Sequence, residues 1–259
     1  MLKHHRTTFA FKLACSALLF LSMNFMSLNA ISKPSLPDAD TNSLIELIDS
    51  QARSEKARAR NKYRNPLQTL TFFEVTSNLT VVEIWPGGQG GWYRSILEPY
   101  LAESGNYLPV RSKDAFPKPV ENVPDGVADR VLVFRAHGFM IYDKPTQQYY
   151  DALFKMLKPG GIFGIVDHRG DENIPQDPDG ENGYVNQSHV IMMAEKAGFK
   201  LIATSEINAN PRDTKDYPKG LYSLPPSLKG STLNKELRQK MIDIGESDRM
   251  TLKFVKPTT

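Results

Sequence analysis

The chain has 259 residues, 40% of them hydrophobic and 24% charged, with 32 basic against 29 acidic side chains and one cysteine. This is a globular composition and excludes a disordered chain. The three excess charges, Lys3, Arg6 and Lys12, all fall in the first thirty residues, which hold no acid. The remaining charges cancel, so a nucleic acid, held largely through phosphate neutralisation, is not an expected partner.

Residues 1–30 have the three parts of a secretory signal peptide. Lys3, His4, His5, Arg6 and Lys12 form the basic end, Leu13 to Leu28 the apolar run, and Ser27-Leu28-Asn29-Ala30 the cleavage end. The run is 16 residues, short of the ~20 that span a bilayer. A periplasmic or secreted protein is expected, touching a membrane only through an uncleaved signal. Cys15 is the only cysteine, so a cleaved product would have no disulfide, thiolate nucleophile or zinc–thiolate site.

Residues 31–66 read as a linker and an N-terminal helix, with the main domain over 67–259. Ser43 is placed to cap a helix carrying Leu44, Ile45, Leu47 and Ile48. The run Arg53, Lys56, Arg58, Arg60, Lys62, Arg64 reads as a solvated helix face, contact with an anionic ligand being the other reading.

From residue 67 strands and helices alternate. Thr80 to Trp85 is a short β-branched run feeding Pro86-Gly87-Gly88-Gln89-Gly90-Gly91, a buried strand entering a tight loop. Trp92, Tyr93, Ile96, Leu97, Tyr100 and Leu101 recur at helical spacing, with Pro99 set to end the regular ladder. Tyr107–Val110 is a weak strand and Arg130–Phe134 a strong one. Tyr149, Tyr150, Leu153, Phe154 and Leu157 make a helix stripe ending at Lys158-Pro159-Gly160-Gly161. Ile162–Val166 is another buried strand. A helix ending at Gly198, a strand over 199–207, a polar segment over 208–230, a short helix and a last strand over 250–255 complete the chain. This order argues for an α/β fold with a doubly wound, mostly parallel sheet.

Ligands of such sheets sit beyond the carboxyl ends of the strands. The first of these ends carries the glycine loop, which is neither a P-loop nor a complete G-x-G-x-x-G, with Glu83 inside the strand before it. His137 follows the strand ending at Phe134, and Asp167-His168 follow the one ending at Val166. Histidine suits proton transfer near neutral pH, though each could equally be a structural hydrogen-bonding group. Asn208, Asn210, Asp213 and Asp216 sit where they could help close a pocket. No G-x-S-x-G elbow, H-E-x-x-H or kinase signature is present.

Val81–Gly88 (VVEIWPGG), Trp92-Tyr93, Leu157–Gly161 (LKPGG) with Ile165–His168 (IVDH), and Ala197-Gly198-Phe199 resemble the class I S-adenosylmethionine-dependent methyltransferases. They are most similar to a group of exported members, as are Asn208–Pro211 and Gly245–Arg249. The resemblance spans roughly 60–257. It implies a Rossmann-like, seven-stranded sheet whose last strand runs antiparallel between the fifth and sixth. It implies S-adenosylmethionine over the glycine loop, with Glu83, Gly87, Gly88, Gly90, Gly91, Trp92 and Asp167 around it and Asp114 the nearest acid for the ribose. His137 or His168 would be the base, and the acceptor a small molecule or envelope component. Only 18 residues, 111–128, stand where the family has a helix, a strand and a helix, and Pro117, Pro119 and Pro124 oppose a helix there. The sheet is therefore expected to be truncated at that edge. Two other readings stay open: an exported binding protein or inactive relative, and a hydrolase or isomerase using His137 and His168.

Overall fold

The computed structural model describes residues 35–87, 91–136, 138, 141 and 146–258. The leader read as a signal peptide lies outside the described residues. Four helices come first: α1 (Asp38–Asp49), α2 (Glu55–Arg58), α3 (Asn61–Arg64) and α4 (Pro66–Phe72). The α/β core follows as β1 (Thr80–Ile84), α5 (Arg94–Tyr100), β2 (Asn106–Val110), β3 (Ala128–Phe134), α6 (Thr146–Met156), β4 (Leu157–His168), α7 (Gln187–Lys196), β5 (Lys200–Ser205), a 3₁₀ turn at Gly220–Ser223, α8 (Lys235–Ile244) and β6 (Arg249–Val255). No helix among the described residues is long and apolar enough to cross a membrane.

The six strands form one sheet in the order β2-β1-β3-β4-β6-β5. The first four are parallel, and β6 runs antiparallel to both β4 and β5. Among the described residues the seventh strand implied by the resemblance is absent, at the edge expected. Residues 111–127 cross from β2 to β3 as a loop, anchored by buried Phe116 and Val123. Strand order reverses at β1, whose sequence neighbours β2 and β3 lie on opposite sides of it. That reversal opens a crevice at the carboxyl ends of β1 and β3.

Side chains alternate between the two faces of the sheet. Val82, Ile84, Val131, Val133, Phe163 and Ile165 pack with Tyr149, Tyr150 and Leu153 of α6. On the opposite face Val81, Leu132, Phe134 and Val166 pack with Ile96 and Leu97 of α5, Leu70 of α4, and Leu44 and Ile48 of α1. The amino-terminal helices thus share the core of the sheet. Helix α1 starts at Asp38, before Ser43 and without a side-chain cap; Asp38 and Asp40 place favourable negative charge in its first turn.

The basic run is not one solvated face. It is broken into two four-residue helices, so its members share no common stripe. Arg53 and Arg64 are buried, 3% and 1% exposed. Arg53 Nε donates to Ser95 Oγ at 3.0 Å and its Nη1 to Asn61 Oδ1 at 3.1 Å.

Gly164, in the middle of β4, lets the two layers meet. A Cβ there would stand 2.7 Å from Phe73 Cδ1 and 2.8 Å from Leu132 Cδ2. Gly164→Ala should cost about 1–3 kcal/mol through overpacking, read as a lower urea midpoint with an unchanged slope.

Candidate functional site

The site begins with how the chain leaves β1 and β3. Trp85 follows β1 with φ +48°, and Arg135 follows β3 with φ +59°. Both are non-glycine residues in the left-handed region, a conformation that costs energy and clusters at functional sites. Each still makes a ladder bond, Trp85 N–H to Val110 O at 2.8 Å and Arg135 N–H to Val166 O at 2.7 Å. The Trp85 ring meets Phe116 and Tyr149 edge to face at 6.2 and 5.8 Å, contacts that help offset the strain.

Gly87 follows with φ +89°. A Cβ on Gly91 would lie 2.1 Å from Pro86 O, so only glycine lets the two ends of this loop touch. Gly88 and Gly90 lie outside the described residues. Trp92 and Tyr93 then fix the start of α5. Trp92 Nε1–H donates to Ala57 O at 2.9 Å, and Tyr93 stacks on Phe134 with ring centres 3.6 Å apart.

These strand ends open into a cavity of about 300 Å³, at the lower end for a small-molecule pocket. Glu83, Trp85, Pro86, Gly87, Trp92 and Tyr93 line it from β1 and α5. Phe134, Arg135, Asp167 and His168 line it from β3 and β4, and Ser247 and Arg249 from the start of β6. Leu221, Tyr222, Pro225, Pro226 and Ser227 form its far wall.

Glu83 is 2% exposed. Burial pushes its carboxyl up to about 7, opposed by the hydrogen bond from Tyr107 Oη to Oε2 at 2.6 Å. His168 Nδ1 lies 2.5 Å from Ser247 Oγ. Burial holds the imidazole well below its ordinary value, and Arg249, Arg135 and Arg64 push it the same way, so it stays neutral at physiological pH. Asp167 is buried, and its Oδ1 accepts the His168 amide at 2.7 Å.

Beneath the cavity lies a cluster of arginines. Glu246 accepts from Arg60 Nε at 2.5 Å, from Arg64 Nε at 3.3 Å and from Arg249 Nη2. These charges hold the Glu246 carboxyl down at about 2 despite its burial. Arg64 is pushed down to about 8, first by burial and then by the charge of Arg135; Arg135 is pushed down to about 10 by burial and then by Arg249.

The residues expected from sequence divide as follows. Glu83, Gly87, Trp92, Asp167 and His168 line one cavity, and Gly91 closes its loop. His137 lies outside the described residues. Asp114 is not among the lining residues; its Oδ2 accepts the Arg111 amide at 2.7 Å and caps the turn after β2. Asn208, Asn210, Asp213 and Asp216 do not line the cavity either. Asn208 ties Thr69 to Thr251, Asn210 holds the Ile244 and Glu246 carbonyls, and Asp213 accepts from Tyr184 and the Asp248 amide. The lining side chains that sequence reasoning did not single out are Arg135, Ser247 and Arg249; Arg64, behind them, belongs to the basic run for which an anionic ligand was the other reading. Position after a strand end marks Arg135, and the Gly245–Arg249 motif contains Ser247 and Arg249.

No protein-family model matches the chain, and no characterised protein matches it by sequence. Solved structures do. The [4+2]-cyclase SpnF aligns with a TM-score of 0.50 at 12% identity, covering 85% of this chain and 94% of its own. A SAM-dependent methyltransferase from Aquifex aeolicus aligns at 0.46 with 17% identity, over 65% of this chain and 93% of that one. Geranyl diphosphate C-methyltransferase from Streptomyces coelicolor A3(2), in complex with Mg2+, geranyl diphosphate and S-adenosyl-L-homocysteine, aligns at 0.47 with 9% identity, over 81% and 87%. The likeness is one of fold: a Rossmann-like α/β sheet with antiparallel strands at one end.

The raised Glu83 carboxyl has a consequence for stability. The folded state holds its proton up to about pH 7, whereas the unfolded chain loses it near 4.5. Between these values the folded state binds more protons, so stability falls as pH rises. Wild type should lose up to about 3 kcal/mol over this window relative to Glu83→Gln, and the difference should level off above it. Urea midpoints of both proteins from pH 4 to 8 measure this.

Proposed function

We propose that the protein is an exported S-adenosylmethionine-dependent methyltransferase whose cofactor lies in the cavity at the ends of β1 and β3, and whose acceptor is a small molecule or envelope component. The observation that carries this reading is the loop after β1. Main chain is brought over the cavity by Trp85 and Gly87, the loop is closed where Gly91 has no room for a Cβ, and a buried carboxylate, Glu83, stands at its base. This fits a group that carries an ammonium and a sulfonium. Trp85, Phe134 and Tyr222 line the same space and offer apolar faces to a planar base.

When bound, the cofactor supplies an electrophilic methyl group. The protein's part is to hold both reactants in line and to take a proton from a hydroxyl or amine acceptor. Glu83 holds positive charge and loses its own proton as it does so. Neutral His168, oriented by Ser247, offers a ring nitrogen as proton acceptor. The tautomer decides which nitrogen is free. The fold alone does not choose the reaction: one structure sharing it is described as a [4+2]-cyclase. The loop and the buried carboxylate favour methyl transfer.

Calorimetry of the folded protein should show binding of S-adenosylmethionine and S-adenosylhomocysteine. Gly91→Ala, whose Cβ would lie 2.1 Å from a carbonyl oxygen, should weaken both by about tenfold or more, or roughly 1.4 kcal/mol. Absence of heat with either ligand at millimolar concentration overturns the reading. Export is tested separately: the intact mass of protein recovered outside the cytoplasm should match a chain starting at Ile31.

A further inference from the structure

We propose that the cavity floor is an oxyanion site, in which Arg135 and Arg249 hold a carboxylate or phosphate group and Arg64 adds positive charge from behind. The inference rests on the reading above only for where the anion comes from.

The first observation is an imbalance of charge. Arg60, Arg64, Arg135 and Arg249 act on one another electrostatically, and the acids acting on them there are Glu246 and Asp167. Glu246 is shared by three guanidinium groups. Arg135 makes no side-chain hydrogen bond or ion pair among the described residues, yet it lines the cavity with Arg249.

The second observation is unsatisfied donors. Arg64 is 1% and Arg249 2% exposed, and Arg64 Nη1, Arg64 Nη2 and Arg249 Nε have no acceptor. Every buried side-chain donor without a partner, among the described residues, belongs to Arg53, Arg60, Arg64 or Arg249. Such groups are costly when buried, more so when charged. Two arginines outside this cluster are fully paired. Arg169 makes two bonds to Glu206 and two to Asp248, and Arg130 is taken up by the carbonyls of Phe73, Asp129 and Glu74. Of the arginines left with unpartnered donors, Arg249 lines the cavity, with its Nε the donor left over once Nη1 meets Tyr63 O and Nη2 meets Glu246; Arg60 and Arg64 join it through Glu246, and Arg53 and Arg64 stack on the Trp92 ring. A guanidinium fork matches the oxygens of a carboxylate or phosphate.

Two sources supply such a group: the α-carboxylate of the cofactor's amino-acid end, or an acidic group on the acceptor. Three probes separate them, namely inorganic phosphate, S-adenosylhomocysteine, and methylthioadenosine, which lacks the amino acid. Arg135→Asn is the first variant, because asparagine tolerates the left-handed backbone and no hydrogen bond is lost. Arg249→Lys, which keeps the charge but not the fork, is the second. Phosphate should raise the Tm of wild type by mass action, and both variants should reduce that rise at least tenfold in concentration dependence. Ligand-free Arg135→Asn should melt no lower than wild type, because it removes charge repulsion.

If the variants weaken S-adenosylhomocysteine tenfold or more and spare methylthioadenosine, the anion is the cofactor's carboxylate. If they abolish the phosphate response in the presence of saturating S-adenosylhomocysteine and leave its affinity unchanged, the anion belongs to the acceptor. A phosphate response without any S-adenosylhomocysteine binding keeps the site and removes the cofactor reading. If neither variant changes the response to phosphate or the affinity for S-adenosylhomocysteine, the site is overturned and the arginines are structural.

Discussion

The direction in which the chain leaves β1 and β3 controls everything above the sheet. A strand that ended in ordinary extended backbone would carry its loop outward, away from the reversal of strand order. Trp85 and Arg135, with φ of +48° and +59°, turn it back across the sheet top. The cost is met by packing that is complete below: Trp85 is wedged against Phe116 and Tyr149, and both residues keep their ladder hydrogen bonds.

Within that cavity the charges are separated. Glu83, at the end nearer the glycine loop, is held close to neutrality by burial, and it also feels Arg135. The arginines, approached from α3, β3 and β6, are held charged around one shared carboxylate. A ligand with a cationic and an anionic end relieves both penalties, by ionising Glu83 and by satisfying the guanidinium donors. His168 sits between these influences, its basicity lowered first by burial and then by the arginines. An anion bound to them would offset the arginine part of this effect and leave the part due to burial.

Much of the fold was legible because its signals are local. The β-branched run into Trp85 and the glycine loop marked β1, and the prolines and short span of 111–128 marked the shortened edge. The strand-end rule led to Glu83, Asp167 and His168. The arginine site was not legible, since its members come from distant parts of the chain: Arg64 and Glu246 are 182 residues apart. Arg53 and Arg64 looked solvated because a basic run implies an exposed helical face, but the run breaks into two short helices and that face does not exist. Asp114 was the nearest acid after β2 for a ribose, and its carboxylate instead caps the turn after that strand.

The segment after β5 also shapes the cavity. Leu221, Tyr222, Pro225, Pro226 and Ser227 form the far wall of the cavity. This wall is rigidly seated. Leu221 N–H donates to Asn182 O at 3.0 Å, and a Cβ on Gly183 would meet Leu221 Cδ2 at 2.2 Å. A Cβ on Gly220 would likewise meet Asn182 O at 2.2 Å. Two loops from different parts of the chain are locked together by glycines that leave no spare volume, which makes the far wall a shaped surface. Tyr222, Pro225, Pro226 and Ser227 on that surface, facing the strand ends, are where discrimination among acceptors would be made. Its proline-rich composition hid that role, since the same residues in sequence alone describe only a turn.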